Sequence, residues 1–150
     1  MNANIHIQVE DFDVSEEIDA LTAEAPRIGA VATFTGYVRG DESLIALTLE
    51  HYPGMTEGEI ARIAAEAASR WSVAGVTIIH RIGRLEVGQR IVLVAVAASH
   101  RGAAFAACEF LMDYLKTRAP FWKMEERENE TGWVEAKASD DAAAGRWREN

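Results

Sequence analysis

Basic residues are scarce in this chain, so the positions of those that could do chemistry are informative. The 150 residues include 15 lysines and arginines against 24 aspartates and glutamates, a formal net charge of -9. Such a surface repels nucleic acid and anionic membranes, so neither is expected as a partner. An anionic substrate would need a local cluster of cations. The places that could supply one are Arg39, His100-Arg101, Lys116 and Lys123.

His100-Arg101 stands where an apolar strand is predicted to meet the N-terminus of a helix. Free backbone N–H groups and the helix dipole favour an anion at such a place. Arg101 could add a two-pronged contact to a phosphate. The alternative is that Ser99 caps the helix while His100 and Arg101 lie in solvent.

Lys116 and Lys123 lie on either side of Pro120, which is expected to end the helix that carries Lys116. A lysine in the last helical turn complements the negative end of the dipole, and this structural role is one interpretation of Lys116. Alternation places Lys123 on one strand face with Phe121 and Glu125, where partial desolvation could tune its pKa for acid–base work. The alternative is a solvated lysine on an edge strand.

Other reactive residue types form no pattern of their own. Cys108 is the single cysteine, and on the inner stripe of a helix it is interpreted as a small buried hydrophobe in a reducing compartment. His6, His51 and His80 lack the spacing of a zinc site, so no metal or other cofactor is expected. Because the N-terminus has no signal-peptide pattern and no apolar run reaches membrane-spanning length, we expect a cytoplasmic protein.

A mixture of strands and helices must position these residues. The patterns predict strands over 5–9, 28–39 with a bulge near Gly36, 44–51, 76–80 and 91–98, and helices over 13–21, 56–70 and 99–118. The strand over 44–51 is expected to pair with the strand before it, and Thr56 with Glu59 to form a capping box. Residues 121–125 and 133–135 predict a hairpin, and 140–147 a short helix unless the tail 137–150 frays.

The order of these elements predicts an α+β, or mixed α/β, fold in one domain over residues 1–150. We expect two layers of α/β hammerhead type, a largely antiparallel sheet and a small extra β subdomain. The strand over 91–98 is almost wholly apolar and is expected to be central and covered on both faces.

Several segments together resemble the large subunit of molybdopterin synthase. They occur in the family's order between residues 28 and 136, and the last of them is the most specific. The segments are FTGYVR (34–39), LTLEHYPGM (47–55), HRIG (80–83), SHR (99–101) and DYLKTRAPFWK (113–123).

The resemblance implies an enzyme that transfers sulfur to cyclic pyranopterin monophosphate from the C-terminal thiocarboxylate of a small ubiquitin-like subunit. It implies that Lys116 and Lys123 are catalytic. The substrate-binding positions that it implies are Arg39, Tyr37, His100, Arg101, Met124 and Glu125, and the pocket-packing positions are Phe34 and Met112. Tyr37 stands where some relatives have a lysine, and the turn after Arg39 is shorter than in many relatives.

The ends of the helix that carries Arg101 and Lys116 are about 22 Å apart, so one small pterin cannot touch both ends within one chain. We therefore expect a two-fold homodimer, the core of a heterotetramer, in which His100 and Arg101 of one chain face Lys116 and Lys123 of the other. Two other readings stay open. One is a non-catalytic dimeric adaptor for the tail of a ubiquitin-like protein, and the other is a sulfurtransferase that uses Cys108.

Overall fold

The computed structural model describes residues 1–23, 25–134 and 138–148. Strands and helices are mixed along this part of the chain, as the α+β prediction requires. The elements are β1 (Asn2–Gln8), α1 (Val14–Thr22), β2 (Ala30–Tyr37), β3 (Leu44–His51), α2 (Met55–Arg70), β4 (Val73–Arg81), β5 (Gly83–Glu86), β6 (Arg90–Ala98), α3 (Arg101–Thr117), β7 (Phe121–Arg127), β8 (Thr131–Val134) and α4 (Ala138–Gly145).

The strands form two four-stranded sheets. The first sheet has the order β1-β4-β6-β2, and the second has the order β5-β3-β7-β8. Only the β1–β4 pair is parallel among the described strand pairs; the others are antiparallel. The register of β2 against β6 shifts between Gly36 and Tyr37, which confirms the predicted bulge.

Strand β6 is central to the first sheet and is buried on both faces, as its apolar run predicts. Helices α2 and α3 cover one face, where Val94 and Val96 pack with Ile60 and Phe110. Helix α1 covers the other face, where Leu21 packs with alternate residues of β6. Burial of a large apolar side chain such as Phe110 stabilises the fold by about 1.5–3 kcal/mol, so this core fixes how α3 lies on the sheet.

The expected pairing of β3 with β2 is wrong. Strand β3 pairs with β5 and β7 in the second sheet, and β2 pairs with β6. Strand β5 was not predicted. The physical reason is that β6 needs a partner on each edge, and β2 and β4 supply them. After β2 the chain passes from the first sheet to the second at Val38. This residue is buried in a small cluster with Leu47, Leu49 and Leu85.

The N-cap of helix α2 lies two residues earlier than the predicted capping box. Gly54 is the N-cap with φ 85°, a conformation that favours glycine, and its N–H donates to the Glu57 carboxylate at 2.9 Å. Thr56 is fully buried instead. Its hydroxyl donates to the carbonyl oxygen of Pro120 at 2.9 Å and so ties α2 to the start of β7.

The predicted terminal hairpin and short final helix are both present, with shifted ends, as β7–β8 and α4. Trp147, just after α4, packs edge-on against Trp71 and Phe110. Its indole N–H donates to Asp113 of α3, so the end of the chain is held on α3. Glu135, the predicted end of the hairpin, and residues 136–137 and 149–150 of the tail lie outside the described residues. None of the described helices is long and apolar enough to cross a membrane.

Candidate active site

The two lysines meet at the corner where α3 ends and β7 begins. Lys116 lies in the last turn of α3 with an exposed side chain, and Lys123 is half-buried on β7. Lys123 stands opposite Leu49 of β3. The charges of both lysines lower the pKa of His80, so the two ammonium groups lie close enough to act on one neighbouring ring. The structure therefore brings together the pair that the sequence singled out.

His80 is a member of this corner that sequence reasoning passed over, since it considered the histidines only as zinc ligands. The ring stacks on Phe121 with centroids 3.8 Å apart and planes 17° apart. Its Nδ1 lies 2.9 Å from the carbonyl oxygen of Arg81, to which it can donate in the neutral form. Burial, and next the charges of Lys116 and Lys123, lower the pKa of His80 to about 4. His80 is therefore neutral at neutral pH.

Acidification should destabilise the fold through His80. A histidine has a pKa near 6.5 in the unfolded chain, against about 4 for His80 in the folded chain. Between these two values the unfolded state binds more protons than the folded state, so the free energy of unfolding decreases as the pH is lowered. The loss from this one group is at most about 3 kcal/mol. Urea unfolding at pH 7 and pH 4.5 measures it, with His80→Gln as the comparison. Equal pH dependence in the two proteins would contradict this account.

The N-terminus of α3 forms a second, separate group of cations. His100 is the N-cap but its side chain makes no capping hydrogen bond, and no acidic residue lies in the first turn. The alternative in which Ser99 caps this helix is wrong, because α3 begins at Arg101. Ser99, His100 and Arg101 are all exposed. An anion could here meet free N–H groups, the helix dipole and a guanidinium together.

A glycine just before β2 holds the loop before α3 close to the first sheet. The N–H of Gly29 donates to the carbonyl oxygen of Ala98 at 2.9 Å. A Cβ at Gly29 would collide with the carbonyl oxygen of Ser99. Only glycine therefore permits this approach, which fixes the position of His100-Arg101 relative to the strands.

One chain keeps the two groups of cations apart. Arg101 and Lys116 are at opposite ends of α3, about 22 Å from each other. Strand β2 runs antiparallel to β6, with Ala30 opposite Ala98 and Tyr37 opposite Arg90. Arg39, just beyond β2, therefore lies at the other end of the first sheet from His100-Arg101. Within one chain, the predicted substrate-binding residues do not converge.

The turn after Arg39 is closed by Asp41. Its carboxylate accepts hydrogen bonds from the N–H groups of Ser43 and Leu44, both at 2.9 Å. These two hydrogen bonds lower the pKa of Asp41 most, and the hydrogen bond from the guanidinium of Arg127 has the next largest effect. Arg127 also pairs with Glu125 at 2.8 Å. Glu125, a predicted substrate-binding residue, is thus engaged in a network that closes this turn.

The remaining predicted residues lie around two surface features. Phe34 and Met112 line a groove of about 660 Å³ between β2 and α3, and Phe34 is 41% exposed. Tyr37 is exposed at the end of β2, and Met124 is half-buried opposite Thr48. The structure thus brings the two packing positions together, but on the flank of α3 rather than at the lysine corner.

An aromatic groove that the sequence analysis did not single out lies on the face of β7 opposite Lys123. It has a volume of about 560 Å³, and the rings of Tyr52 and Trp122 stand 5.7 Å apart in it. Trp133 on β8 is 60% exposed and lines the same groove. Alternation along β7 was a usable signal, because it sets Trp122 on the face opposite Lys123.

Cys108 is buried, and burial raises the pKa of its thiol to about 11. Its sulfur lies 3.9 Å from the carbonyl oxygen of Val94. The thiolate that would be needed for nucleophilic chemistry is therefore nearly absent at neutral pH. Within residues 1–23, 25–134 and 138–148, no three His, Cys, Asp or Glu side chains are grouped so that they could hold a metal ion.

Known proteins share both the sequence and the fold. The profile of the family described as MoaE protein matches residues 7–118. The molybdopterin synthase catalytic subunit of Mesorhizobium japonicum is 56% identical over 147 residues, covering 96% of this chain and 92% of that protein. The solved MoaE protein of molybdopterin biosynthesis from Burkholderia ambifaria has a TM-score of 0.84 and 55% identity, covering 97% of each chain.

A chain of the solved complex of subunits 1 and 2 of molybdopterin-converting factor from Helicobacter pylori has the same fold, with a TM-score of 0.73 and 22% identity. The match covers 90% of this chain and 91% of that chain. The family match spans most of this chain, and the identity to named catalytic subunits exceeds one half. The chain therefore belongs to the MoaE family, the family of molybdopterin synthase catalytic subunits.

Proposed function

We propose that this enzyme acts in the cytoplasm on cyclic pyranopterin monophosphate. It transfers sulfur to that substrate from the C-terminal thiocarboxylate of a small ubiquitin-like subunit, and two transfers complete the dithiolene of molybdopterin. The observation that carries the proposal is the meeting of Lys116 and Lys123 beside His80, on a chain that belongs to this family.

The reaction needs positive charge and a proton donor rather than a base. A thiocarboxylate is already an anionic nucleophile at neutral pH, and the pterin carries a phosphate. Lys116 and Lys123 can offset the charge that moves during attack and can supply a proton. Because His80 is neutral, it can accept a hydrogen bond at this corner without adding a third positive charge.

The arginines and His100 suit the phosphate. A guanidinium stays charged at any relevant pH and binds phosphate in bidentate fashion. Arg39 lies at the lysine end of the first sheet and His100-Arg101 at the other end. We infer that the complete site combines two protomers, with His100 and Arg101 of one facing Lys116 and Lys123 of its partner. Two small subunits on this homodimer make a heterotetramer.

The aromatic groove on the second sheet suits the tail of the small subunit. An extended C-terminal peptide is recognised through backbone hydrogen bonds and side-chain pockets, and glycine lets such a tail lie close to a protein surface. The groove between Tyr52, Trp122 and Trp133 offers exposed rings on the second sheet. We infer that the tail of the small subunit lies in this groove.

The deciding experiment combines the purified chain with thiocarboxylated small subunit and cyclic pyranopterin monophosphate, and measures dithiolene formation. We expect product that depends on both additions. A Cys108→Ser variant should match the wild type, because the buried thiol is protonated and takes no part. Absence of product, or loss of product in Cys108→Ser with an intact fold, would remove the proposal in its present form.

A further inference from the structure

Arg127 joins the turn after Arg39 to the strand that carries Lys123. Its Nη1 donates to both oxygens of the Asp41 carboxylate, at 2.9 and 3.0 Å, and to the hydroxyl of Ser43 at 2.8 Å. Arg127 is itself the last residue of β7. One guanidinium therefore ties this turn to a strand whose end lies 84 to 86 positions later in the sequence.

Glu125 sets the direction in which the guanidinium points. Its carboxylate accepts a hydrogen bond from the Nη2 of Arg127 at 2.8 Å, so Nη1 remains for the turn. A planar guanidinium can hold two carboxylates in one fixed geometry, which an ammonium group cannot reproduce. The hydrogen bonds to Asp41 and Glu125 raise the pKa of Arg127. Both carboxylates therefore stabilise the charged form that the contact with the turn requires.

The turn held by Arg127 begins on the same face of the second sheet as Lys123. Lys123 stands opposite Leu49 of β3, and directly opposed residues share a face of a sheet. Leu49 is buried with Val38, the residue before Arg39. Arg39 therefore lies between two anchors, the buried side chain of Val38 on one side and the carboxylate of Asp41 on the other.

We propose that Arg127 is a positioning residue for the phosphorylated substrate, because it holds the turn that carries Arg39 against β7. This proposal rests on the proposed function, which assigns Arg39 to the phosphate. A cation on a turn that is already fixed binds an anion without the loss of freedom that a mobile turn would suffer. Arg127 thus acts through Arg39 and does not itself touch the substrate.

Arg127→Ala should raise the KM for cyclic pyranopterin monophosphate about tenfold and leave kcat unchanged. A turn that becomes ordered only on binding weakens the substrate complex and the transition state equally. Arg84→Ala is the matched control, since Arg84 pairs with Glu126 at 3.1 Å on the other face of the same sheet. It should leave this KM unchanged. Steady-state assays with saturating thiocarboxylated small subunit measure both constants.

Asp41→Ala tests whether the effect passes through the turn. This variant unties the turn but keeps the pair between Arg127 and Glu125, and it should raise the same KM by at least a similar factor. Adding Arg127→Ala to it should change the KM less than about threefold, because both changes remove one contact. A full tenfold effect of Arg127→Ala in the Asp41→Ala background would overturn the proposal, and so would an unchanged KM in Arg127→Ala alone.

Hydrogen exchange separates a failure of this proposal from a failure of the proposed function. By mass spectrometry, a peptide that spans residues 39–44 should exchange faster in Arg127→Ala than in the wild type or in Arg84→Ala. Faster exchange with an unchanged KM would reject the positioning role while the proposed function stands. Faster exchange without sulfur transfer by the wild type would keep the contact that holds the turn and reject the proposed function. Unchanged exchange would reject the contact in either case.

Discussion

Replacing Lys116 by alanine is expected to lower the rate of dithiolene formation by about 10²–10³-fold, the effect of removing one fixed charge from a site where charge moves. The charges of Lys116 and Lys123 both act on the ring of His80. Single-turnover assays with thiocarboxylated small subunit measure the rate of the chemical step, and titration of the small subunit measures binding. We expect the rate of the chemical step to fall and the binding of the small subunit to stay unchanged.

The fold should tolerate this change, because the Lys116 side chain is exposed. Its interaction with the C-terminal end of α3 is worth about 0.3–1 kcal/mol. Arg62→Ala is a matched control, since Arg62 is an exposed helical cation that pairs with Glu59 at 2.7 Å, on α2. Unchanged transfer in Lys116→Ala with normal partner binding would contradict the catalytic role of Lys116. Lys116→Arg separates a need for charge from a need for a proton donor, because arginine does not release its proton.

Local sequence patterns were enough to predict the elements whose burial follows from their own residues. The apolar run of β6 predicted a central strand covered on both faces, and the structure has one. Gly36 predicted the bulge in β2. The spacing of Ala104, Cys108, Leu111 and Leu115 predicted the inner face of α3, and all four are buried.

Pairing between distant strands could not be predicted in this way. Adjacent strands usually pair, so β3 was expected to pair with β2. The structure instead pairs β3 with β7, whose partner residues lie 70 or more positions later. This strand pairing depends on the burial of Val38 beside Leu85. The two residues belong to separate segments, and the sequence pattern of either segment does not predict the contact. The same limit explains why His80 was missed: its neutral state arises from Phe121 and two lysines on other elements.

The sequence proposed members of the candidate site but not its geometry. Family resemblance supplied the lysines and the His100-Arg101 pair, and helix length alone showed that one chain could not unite them. The structure supports the same conclusion, because β2 and α3 both run from one end of the first sheet to the other and hold these residues at opposite ends. Any account of the chemistry must therefore explain how the two ends meet.

Mixing two inactive variants should restore activity if two protomers share each site. Arg101→Ala and Lys116→Ala remove cations from opposite ends of α3. In a mixed dimer both changes fall in one of the two sites, and the other site is intact. Random exchange of subunits makes about half of the dimers mixed, so the mixture should regain about a quarter of wild-type activity. Sulfur-transfer assays before and after exchange measure the recovery.

A pair of variants from the same end supplies the control. In a mixed dimer of Lys116→Ala with Lys123→Ala, each of the two sites still lacks one lysine, so no recovery is expected. Recovery for opposite ends and none for the same end would follow only from a site that crosses the boundary. If neither mixture recovers although mass spectrometry shows exchanged subunits, His100-Arg101 and the lysines do not serve one substrate. The anion site at the start of α3 would then need another explanation, while the lysine corner beside His80 would stand on its own contacts.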